Sequence, residues 1–278
     1  MKYRLLAIDI DGTLMNSRDE LTPGTQAALI RAAEAGVQVV LATGRRYSRT
    51  LPLVEPLGID VPLITAGGAL IKDPLDHRTF YRAEFEPALL RKVCRALDRF
   101  GYDPLLCADT YLDNFDFYHA VEAEKARRWE LAEYLELNPH DGRLSPEMLD
   151  RPPPGVFLVF TFGPKERLLE VEAAIQREFP GRFSTNVLRS PRYRGFLIEI
   201  VPAEVSKWSA VRRLADSWGI AEREICAVGD DVNDLAMIRA AGLGIAMGNA
   251  LPEVKAAADR IAPTHDEEGL IQVVEWII

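Results

Sequence analysis

A short apolar run, Leu5 to Ile8, leads directly into Asp9-Ile10-Asp11-Gly12-Thr13-Leu14, and this stretch limits the possible folds more than any other. A continuous apolar run of this length is typical of a strand buried on both faces of a parallel sheet, because a half-exposed strand alternates. Ligands of such sheets bind at the carboxyl ends of the strands. The stretch therefore predicts a catalytic loop, although a solvated Asp-Gly turn is the better explanation when these residues are considered alone.

The two acids of this loop also predict a cofactor. Asp9 and Asp11 are separated by one residue, so their carboxylates repel near neutral pH unless a cation or a shared proton relieves them. Mg²⁺ is the cation that proteins usually bind through hard oxygen ligands. We therefore expect Mg²⁺ at this loop.

A helix and a second strand follow. Thr22-Pro23 supplies a helix cap and a first-turn proline, and the helical pattern stops at Gly36. Val37 to Ala42 is a second apolar run, and it ends at Thr43-Gly44-Arg45. Since a β-α-β unit makes its two strands parallel, Thr43 is expected level with Asp9 at the same edge of the sheet.

Further apolar runs extend this sheet. Pro62 to Thr65 leads into Ala66-Gly67-Gly68-Ala69, whose glycines permit either a tight turn with close ligand approach or an ordinary hairpin. A turn at Gly248-Asn249-Ala250 can face the same site. Later runs of the same character complete a predicted five-stranded sheet: Ile225 to Val228, Gly244 to Met247 and Arg260 to Ala262.

A lysine and a second acidic loop complete the candidate site. Ser206-Lys207 begins a helix that ends at Gly219, and a cation in the first turn opposes the helix dipole unless an anion lies nearby. Lys207 is therefore either solvated or directed, together with the dipole, at a phosphate. The loop Gly229-Asp230-Asp231-Val232-Asn233-Asp234 is either a solvated turn or a metal site.

The chain between these motifs has a different character, with helical patterns and β-rich runs that indicate a second α+β unit inserted into the first. We predict a discontinuous core of residues 1–84 and 190–278 and an inserted domain of residues 85–189. The patterns within the insertion predict a helix from Pro87 to Phe100, β-like runs near Leu105 and from Tyr111 to Phe117, a helix from Ala120 to Leu135, a strand from Val156 to Phe162 and a helix from Lys165 to Phe179.

The composition disfavours several classes of function. A net charge of −9 argues against nucleic acid or an anionic membrane as the main partner. No apolar run approaches the roughly 20 residues that span a bilayer, so we expect no membrane segment and a cytoplasmic location. Cys94, Cys107 and Cys226 are odd in number and far apart, so they are expected in the core rather than in disulfides or a metal site.

Together these residues describe phosphoryl transfer through an aspartyl-phosphate intermediate. Mg²⁺ and Lys207 would shield charge so that Asp9 can attack a phosphate, while Thr43 and backbone N–H groups hold the phosphate oxygens. Asp11 would protonate the leaving oxygen and later deprotonate the water that cleaves the intermediate.

Four segments resemble the motifs of haloacid dehalogenase-like hydrolases, and more narrowly those of the Cof-type sugar phosphatases with a large α/β (type IIB) cap. The four segments are Asp9-Ile10-Asp11-Gly12-Thr13-Leu14, Ala42-Thr43-Gly44-Arg45, Val205-Ser206-Lys207 and Gly229-Asp230-Asp231-Val232-Asn233-Asp234. A further segment, Ala246-Met247-Gly248-Asn249-Ala250, follows them and adds to the resemblance. The resemblance implies an α/β fold with a Rossmann-like, doubly wound parallel sheet core and an inserted α+β cap domain. It also implies a Mg²⁺-dependent phosphatase that acts on a small phosphorylated metabolite. We expect the protein to be a monomer or a homodimer.

The resemblance also assigns roles to individual residues. The implied ligands of Mg²⁺ are Asp9, Asp11 through its backbone carbonyl, Asp230 and Asp234, and the implied substrate-binding residues are Gly44, Arg45 and Asn233. Two positions depart from the usual pattern: Gly67 stands where asparagine is usual, and Trp208 stands where a glycine usually follows the motif lysine. Both departures bear on the choice of substrate and not on the chemistry.

Two other functions use similar groups. A phosphomutase differs only in passing the phosphoryl group to a sugar hydroxyl in place of water. A phosphorylation-switched receiver domain also combines an acidic pocket, Mg²⁺, a hydroxyl and a lysine. A receiver needs no inserted domain, however, and Asp11 would remove the phosphoryl signal that a receiver keeps.

The insertion is expected to close over the site and to select the substrate. A cluster of basic and aromatic residues lies near its return to the core, consisting of Arg189, Arg192, Tyr193 and Arg194. These side chains either contact the substrate or form a solvated run of charge.

Overall fold

The structure is a computed structural model that describes residues 2–58, 60–189 and 193–278. Of the basic residues near the end of the insertion, Arg192 lies outside the described residues. The chain divides into two compact units: unit 1 comprises Met1–Tyr81 with Ser206–Ile278, and unit 2 comprises Arg82–Val205.

The strands of the described ranges are numbered in chain order. They are β1 Leu5–Asp9, β2 Gln38–Ala42, β3 Leu63–Thr65, β4 Leu70–Lys72, β5 Thr79–Arg82, β6 Leu105–Ala108, β7 Phe117–His119, β8 Gly142–Leu144, β9 Val156–Gly163, β10 Phe183–Arg189, β11 Phe196–Pro202, β12 Ile225–Gly229, β13 Leu243–Ala246 and β14 Arg260–Ile261. The α-helices are α1 Pro23–Glu34, α2 Tyr47–Val54, α3 Pro87–Arg99, α4 Trp129–Leu137, α5 Lys165–Glu178, α6 Lys207–Ser217, α7 Leu235–Ala240, α8 Pro252–Ala257 and α9 Gly269–Ile277.

Unit 1 is built on a sheet with the strand order β14-β13-β12-β1-β2-β3-β4-β5. β1 lies inside it and pairs in parallel with β12 on one side and β2 on the other. All five residues of β1 are buried, as expected for a strand covered on both faces. The parallel pairing brings the carboxyl ends of β1, β2 and β12 to the same edge of the sheet.

Both faces of this sheet are covered. Leu5 of β1 packs in one cluster with Val211 of α6. Leu6 and Ile8 point to the opposite face, because successive side chains of a strand alternate, and they are fully buried as well. α1 packs against both β2 and α9. The predicted α/β class with a Rossmann-like, doubly wound core is confirmed.

The sheet is wider than predicted. Its eight described strands exceed the predicted five, because all six of the apolar runs named above are strands of this sheet and β4 and β5 extend it beyond β3. β4 pairs antiparallel with β3, so the glycine-rich segment after β3 is a hairpin turn. At Gly68, where φ is +107°, a Cβ would lie 2.2 Å from the carbonyl oxygen of Ser206. The glycine therefore permits a close approach of the chain to itself at the start of α6.

Unit 2 is an α+β domain with its own sheet, in the order β10-β11-β9-β6-β7-β8. β9 is buried along all eight residues and pairs antiparallel with β11 and β6. Leu90 and Val93 of α3 pack in one core with Leu168 and Val171 of α5 and with the sheet. The predicted inserted α+β domain is present.

The insertion ends later than residue 189, where the sequence placed its boundary. β10 ends at Arg189, but β11 pairs with both β10 and β9. Because the two strands of this hairpin belong to one sheet, unit 2 continues to Val205, and its start lies at Arg82 in place of Phe85.

Two elements within the insertion also differ from the prediction. The β-like run from 111 to 117 is a 3₁₀ turn, Tyr111–Asp113, followed by a strand that begins only at Phe117. The helix predicted from Ala120 begins at Trp129, after a separate 3₁₀ turn. Residues 121–128 are rich in charge and offer no apolar face, so packing does not stabilise a helix there.

Two expectations from composition can be compared with the structure. Cys94, Cys107 and Cys226 are buried free thiols, as predicted for core residues. Within the described ranges, no helix has the length and apolar character that crossing a bilayer requires.

Candidate active site

Asp9 is the last residue of β1 and is 4% exposed. A tight turn follows it, with Asp11 at φ −77° and ψ 119° and Gly12 at φ 75° and ψ 6°, the dihedral angles of a type II turn. A Cβ at residue 12 would lie 2.3 Å from Asp230 Oδ2. Glycine is therefore required at this position both by its positive φ and by the neighbouring carboxylate.

Lys207 provides a buried cation next to Asp9. Ser206 caps α6 by accepting a hydrogen bond from the Ser209 N–H, which places Lys207 in the first turn. Its Nζ donates to Asp9 Oδ1 at 2.5 Å and to Asp234 Oδ1 at 2.7 Å, and the lysine side chain is 2% exposed. Of the two alternatives for Lys207, the solvated one is excluded.

Asp234 organises the second acidic loop. Its Oδ1 accepts the Lys207 hydrogen bond, and its Oδ2 accepts the backbone N–H groups of Asp230 and Asp231 at 3.0 and 3.2 Å. Asn233 Oδ1 also lies 3.3 Å from Lys207 Nζ. The loop that follows β12 is thereby tied to the lysine at the start of α6.

Asp230 keeps its carboxylate oxygens nearly free. Oδ1 accepts a long hydrogen bond from Thr13 Oγ1 at 3.4 Å, and Oδ2 accepts one from Asn249 Nδ2 at 3.5 Å. Burial, Asp234 and Asp231 raise the pKa of Asp230 to about 7, although Lys207 acts in the opposite direction. A carboxylate with weak partners among like charges is suited to bind a cation.

The pKa values of Asp9 and Lys207 are also raised. Burial, and then the negative charges of Asp234 and Asp230, raise the pKa of Asp9 well above its ordinary value, while Lys207 opposes this. Burial alone would lower the pKa of Lys207, but Asp234 and Asp9 together raise it. Lys207 is therefore a permanent cation that offsets part of the repulsion among the three acids.

The donor set fits Mg²⁺. Asp9, Asp230 and Asp234 each offer one carboxylate oxygen, and these oxygens lie within 4.8 Å of one another. Clustered hard oxygen ligands are what Mg²⁺ binds, and a divalent cation would relieve the repulsion that raises the pKa values of Asp9 and Asp230.

Asp11 and Arg45 form an ion pair that the sequence did not predict. Arg45 Nε donates to both carboxylate oxygens of Asp11, at 3.0 and 2.9 Å, and Nη2 donates to Asp19 Oδ1 at 2.7 Å. The Asp11 side chain is 52% exposed, whereas that of Arg45 is 14% exposed. Arg45 Nη1 is buried and has no hydrogen-bond partner within the described part of the chain.

Thr43 and Gly44 follow the end of β2. The register pairs Asp9 with Ala42, so Thr43 lies one residue beyond Asp9 and not level with it. The buried Thr43 hydroxyl accepts a hydrogen bond from the Arg45 N–H at 3.1 Å and can donate its own proton elsewhere. At Gly44 no atom lies within 4 Å of the position of a Cβ, so the loop is open there.

Comparison with known proteins identifies the family. Residues 6–274 match the family described as haloacid dehalogenase-like hydrolase. The chain belongs to this family. Phosphatase YwpJ of Bacillus subtilis is 30% identical to it over 302 residues, covering 99% of this chain and 100% of that protein. This haloacid dehalogenase-like hydrolase is accordingly of the phosphatase type.

Solved structures of haloacid dehalogenase-like hydrolases share the fold. One from Bacteroides thetaiotaomicron superposes with a TM-score of 0.80 at 28% identity, and the match covers both chains completely. A second, the subclass IIB sugar phosphatase BT4131, has a TM-score of 0.75 at 23% identity, covering 99% of this chain and 100% of that one. The fold is thus the type IIB fold that the motifs indicated.

The structure also shows contacts in this hydrolase that the sequence did not reveal. Thr13 and Asn249 both donate towards Asp230, yet neither was given a role. Thr13 stands inside the first motif, where its hydroxyl two residues after Asp11 was a usable signal. From the sequence, the turn containing Asn249 can face the site, but its side chain received no role, because an asparagine in a Gly-Asn turn is explained equally well by the turn itself.

Proposed function

We propose that this hydrolase is a Mg²⁺-dependent phosphatase that cleaves a small phosphorylated metabolite through an aspartyl-phosphate at Asp9. The observation that carries the proposal is the buried ion pair of Asp9 with Lys207, surrounded by Asp230 and Asp234. A buried carboxylate beside a fixed cation and a cation site is suited to attack a phosphate that is itself negative.

The proposed reaction has two steps on the residues of unit 1. An Asp9 carboxylate oxygen attacks phosphorus, the bond from phosphorus to the leaving oxygen breaks, and Asp11 gives that oxygen a proton. Asp11 then takes a proton from a water molecule that attacks the phosphoryl group, which frees inorganic phosphate and regenerates Asp9. When bound, Mg²⁺ supplies charge neutralisation at the phosphate oxygens.

Several groups are available to hold the phosphate. Lys207 supplies the fixed charge, the Thr43 hydroxyl can donate a hydrogen bond, and the open loop at Gly44 admits a ligand close to the backbone. Asn233 and Arg45 remain our candidates for additional substrate contacts. Arg45 Nη1 is a donor without a described partner, although the rest of that guanidinium is engaged by Asp11 and Asp19.

We further propose that unit 2 selects the metabolite. Every residue assigned to the chemistry lies in unit 1, so unit 1 alone accounts for the reaction type. Recognition of the organic part of the ester is the task left for the inserted domain.

Phosphate release is expected to depend on a divalent cation. Chelation should lower turnover at least about a hundredfold, because the cation supplies several kcal/mol of charge stabilisation in the transition state. Added Mg²⁺ should restore it. The measurement is inorganic phosphate released from a panel of sugar phosphates, nucleotides and phosphorylated cofactors, with and without chelator. Turnover that survives complete chelation, on any ester of the panel, would contradict the proposal.

The affinity for Mg²⁺ is expected to rise with pH up to about pH 7. Burial and Asp234 raise the pKa of Asp230 to about 7 in the metal-free protein. Below that pH the carboxyl carries a proton that Mg²⁺ must displace, so the apparent affinity falls by up to about tenfold per pH unit. Above it the Asp230 carboxylate is already ionised, so this residue no longer contributes to the pH dependence.

Calorimetric titration of the substrate-free protein with Mg²⁺ measures this dependence. Buffers that differ in ionisation enthalpy report the protons released on binding. Release below about pH 7 that vanishes well above it is the expected pattern. Equal affinity and no proton release on both sides of that pH would contradict a Mg²⁺ site that includes Asp230 with a raised pKa.

A further inference from the structure

We propose that Asn249 is a positioning residue for the Mg²⁺ site. The inference rests on the proposed function, since it concerns the same cation, and it assigns a role to a residue outside the two acidic loops. Asn249 lies in the turn after β13, is partly buried and contacts both loops at once.

The amide of Asn249 makes a definite set of hydrogen bonds. Nδ2 donates to the backbone carbonyl of Gly12 at 2.8 Å and, more weakly, to Asp230 Oδ2 at 3.5 Å. Oδ1 accepts the backbone N–H of His265 at 3.1 Å. Because the His265 N–H can only donate, the oxygen of the amide must face it, and the NH₂ group must face the acidic loops.

The hydrogen bond from Asn249 to the Gly12 carbonyl acts on the turn that carries proposed metal ligands. Asp11 and Gly12 are the central residues of the type II turn, and glycine is the residue with the greatest freedom to reorient its peptide planes. An anchor on the Gly12 carbonyl limits rotation about ψ of Gly12. The carbonyl of Asp11 belongs to the preceding peptide plane, so the anchored Gly12 restrains the residue on one side of that plane.

The turn that carries Asn249 is itself fixed to the second acidic loop. The Met247 N–H donates to the Gly229 carbonyl at 3.0 Å, and the Leu251 N–H donates to the Asp230 carbonyl at 3.0 Å. Asn249 therefore stands on a backbone that moves with Asp230 and reaches across to Gly12. It sets the spacing between the ligands of the first loop and those of the second.

The test is the affinity of the substrate-free protein for Mg²⁺ in the Asn249→Ala variant. Loss of a group that orients ligands typically costs 10–100-fold in metal affinity, so we expect the dissociation constant to rise about tenfold or more. Phosphatase turnover at saturating Mg²⁺ should recover most of its wild-type value, because the ligands themselves remain. The KM for the ester at saturating Mg²⁺ should be unchanged.

Glu267→Ala is the matched control. Glu267 accepts hydrogen bonds from the N–H and hydroxyl of Thr264 and so stabilises the turn that Asn249 contacts, and within the described ranges its side chain has no hydrogen bond to either acidic loop. If Asn249 acts only through that turn, both variants will weaken Mg²⁺ binding equally, and the inference is wrong. If the Asn249→Ala variant does not melt cooperatively, Asn249→Ser replaces it. Serine keeps a polar group, but its side chain is too short for the contacts of Asn249 with Gly12 and Asp230.

The outcomes separate the inference from the proposed function. A wild-type protein that binds no Mg²⁺ contradicts the proposed function itself. A wild-type protein that binds Mg²⁺, with an Asn249→Ala variant that binds it equally well, contradicts only the role of Asn249. Weaker binding in the Asn249 variant alone supports both.

Discussion

The Asp9→Asn variant is expected to lose phosphatase turnover by at least about 10⁴-fold, the scale seen when a catalytic nucleophile is removed. An amide oxygen carries no charge and cannot form the acyl phosphate. Asp234 is not available to replace Asp9 as the nucleophile, because both of its oxygens are engaged by Lys207 and backbone N–H groups. Steady-state phosphate release on the best ester of the panel is the measurement.

The same variant is expected to stay folded. Asp9 is buried beside Asp230 and Asp234, so removing its charge relieves repulsion, and an asparagine oxygen can still accept from Lys207. Asp231→Asn is the matched control, since Asp231 is exposed and its side chain accepts local hydrogen bonds within its own turn, one of them from the Val232 N–H. It should keep near wild-type turnover. An active Asp9→Asn enzyme, or an equally inactive control, would remove the case for Asp9 as the nucleophile.

Lys207→Met is expected to lower turnover by about 10²–10⁴-fold through the loss of a fixed charge at the phosphate. A second effect acts in the same direction. Lys207 lowers the pKa of Asp9 against burial and Asp234, so without the lysine that pKa rises further. More of the nucleophile is then protonated and inactive near neutral pH, and the pH at which activity rises should shift upwards.

Stability should change as well in the lysine variant. Removing one partner of a buried ion pair typically costs about 3–5 kcal/mol, here reduced to the extent that the acids take up protons. Lys165→Met is the matched control, because Lys165 also begins a helix, α5, but is exposed. Turnover, its pH profile and thermal unfolding of both variants are the measurements. Wild-type turnover in the Lys207→Met enzyme would show that this lysine has only a structural role.

The sequence predicted the parts of the fold that follow from strong local patterns. The unbroken apolar runs of β1, β2 and β12 can only be buried strands, and the loops after them therefore had to meet at one edge. β5 was missed because it is largely half-exposed without a clear alternation, and β4 because the sequence left a hairpin after β3 as only one of two alternatives. The end of the insertion was missed because the pairing of β10 with β11 is a tertiary contact, which the local sequence pattern does not show.

The same distinction holds for the site. Asp9, Asp230 and Lys207 were predictable because each stands at a strand end or a helix start, where residue type and position agree. The pairing of Arg45 with Asp11 was not, because it joins side chains 34 positions apart on different loops. Asn249 contacts Gly12 across 237 positions, and no local pattern encodes such a contact.

The central claim, a phosphoryl group carried on Asp9, is tested most directly by rapid acid quenching of the enzyme during turnover with Mg²⁺. Tryptic cleavage then yields the peptide from Leu5 to Arg18, and borohydride converts a phosphorylated aspartate to homoserine, which mass spectrometry locates. We predict homoserine at position 9 in the wild-type enzyme, only with substrate and Mg²⁺ present, and none in Asp9→Asn. Homoserine at another position, or active turnover in which none forms at position 9 even at the shortest quench times, would contradict the account.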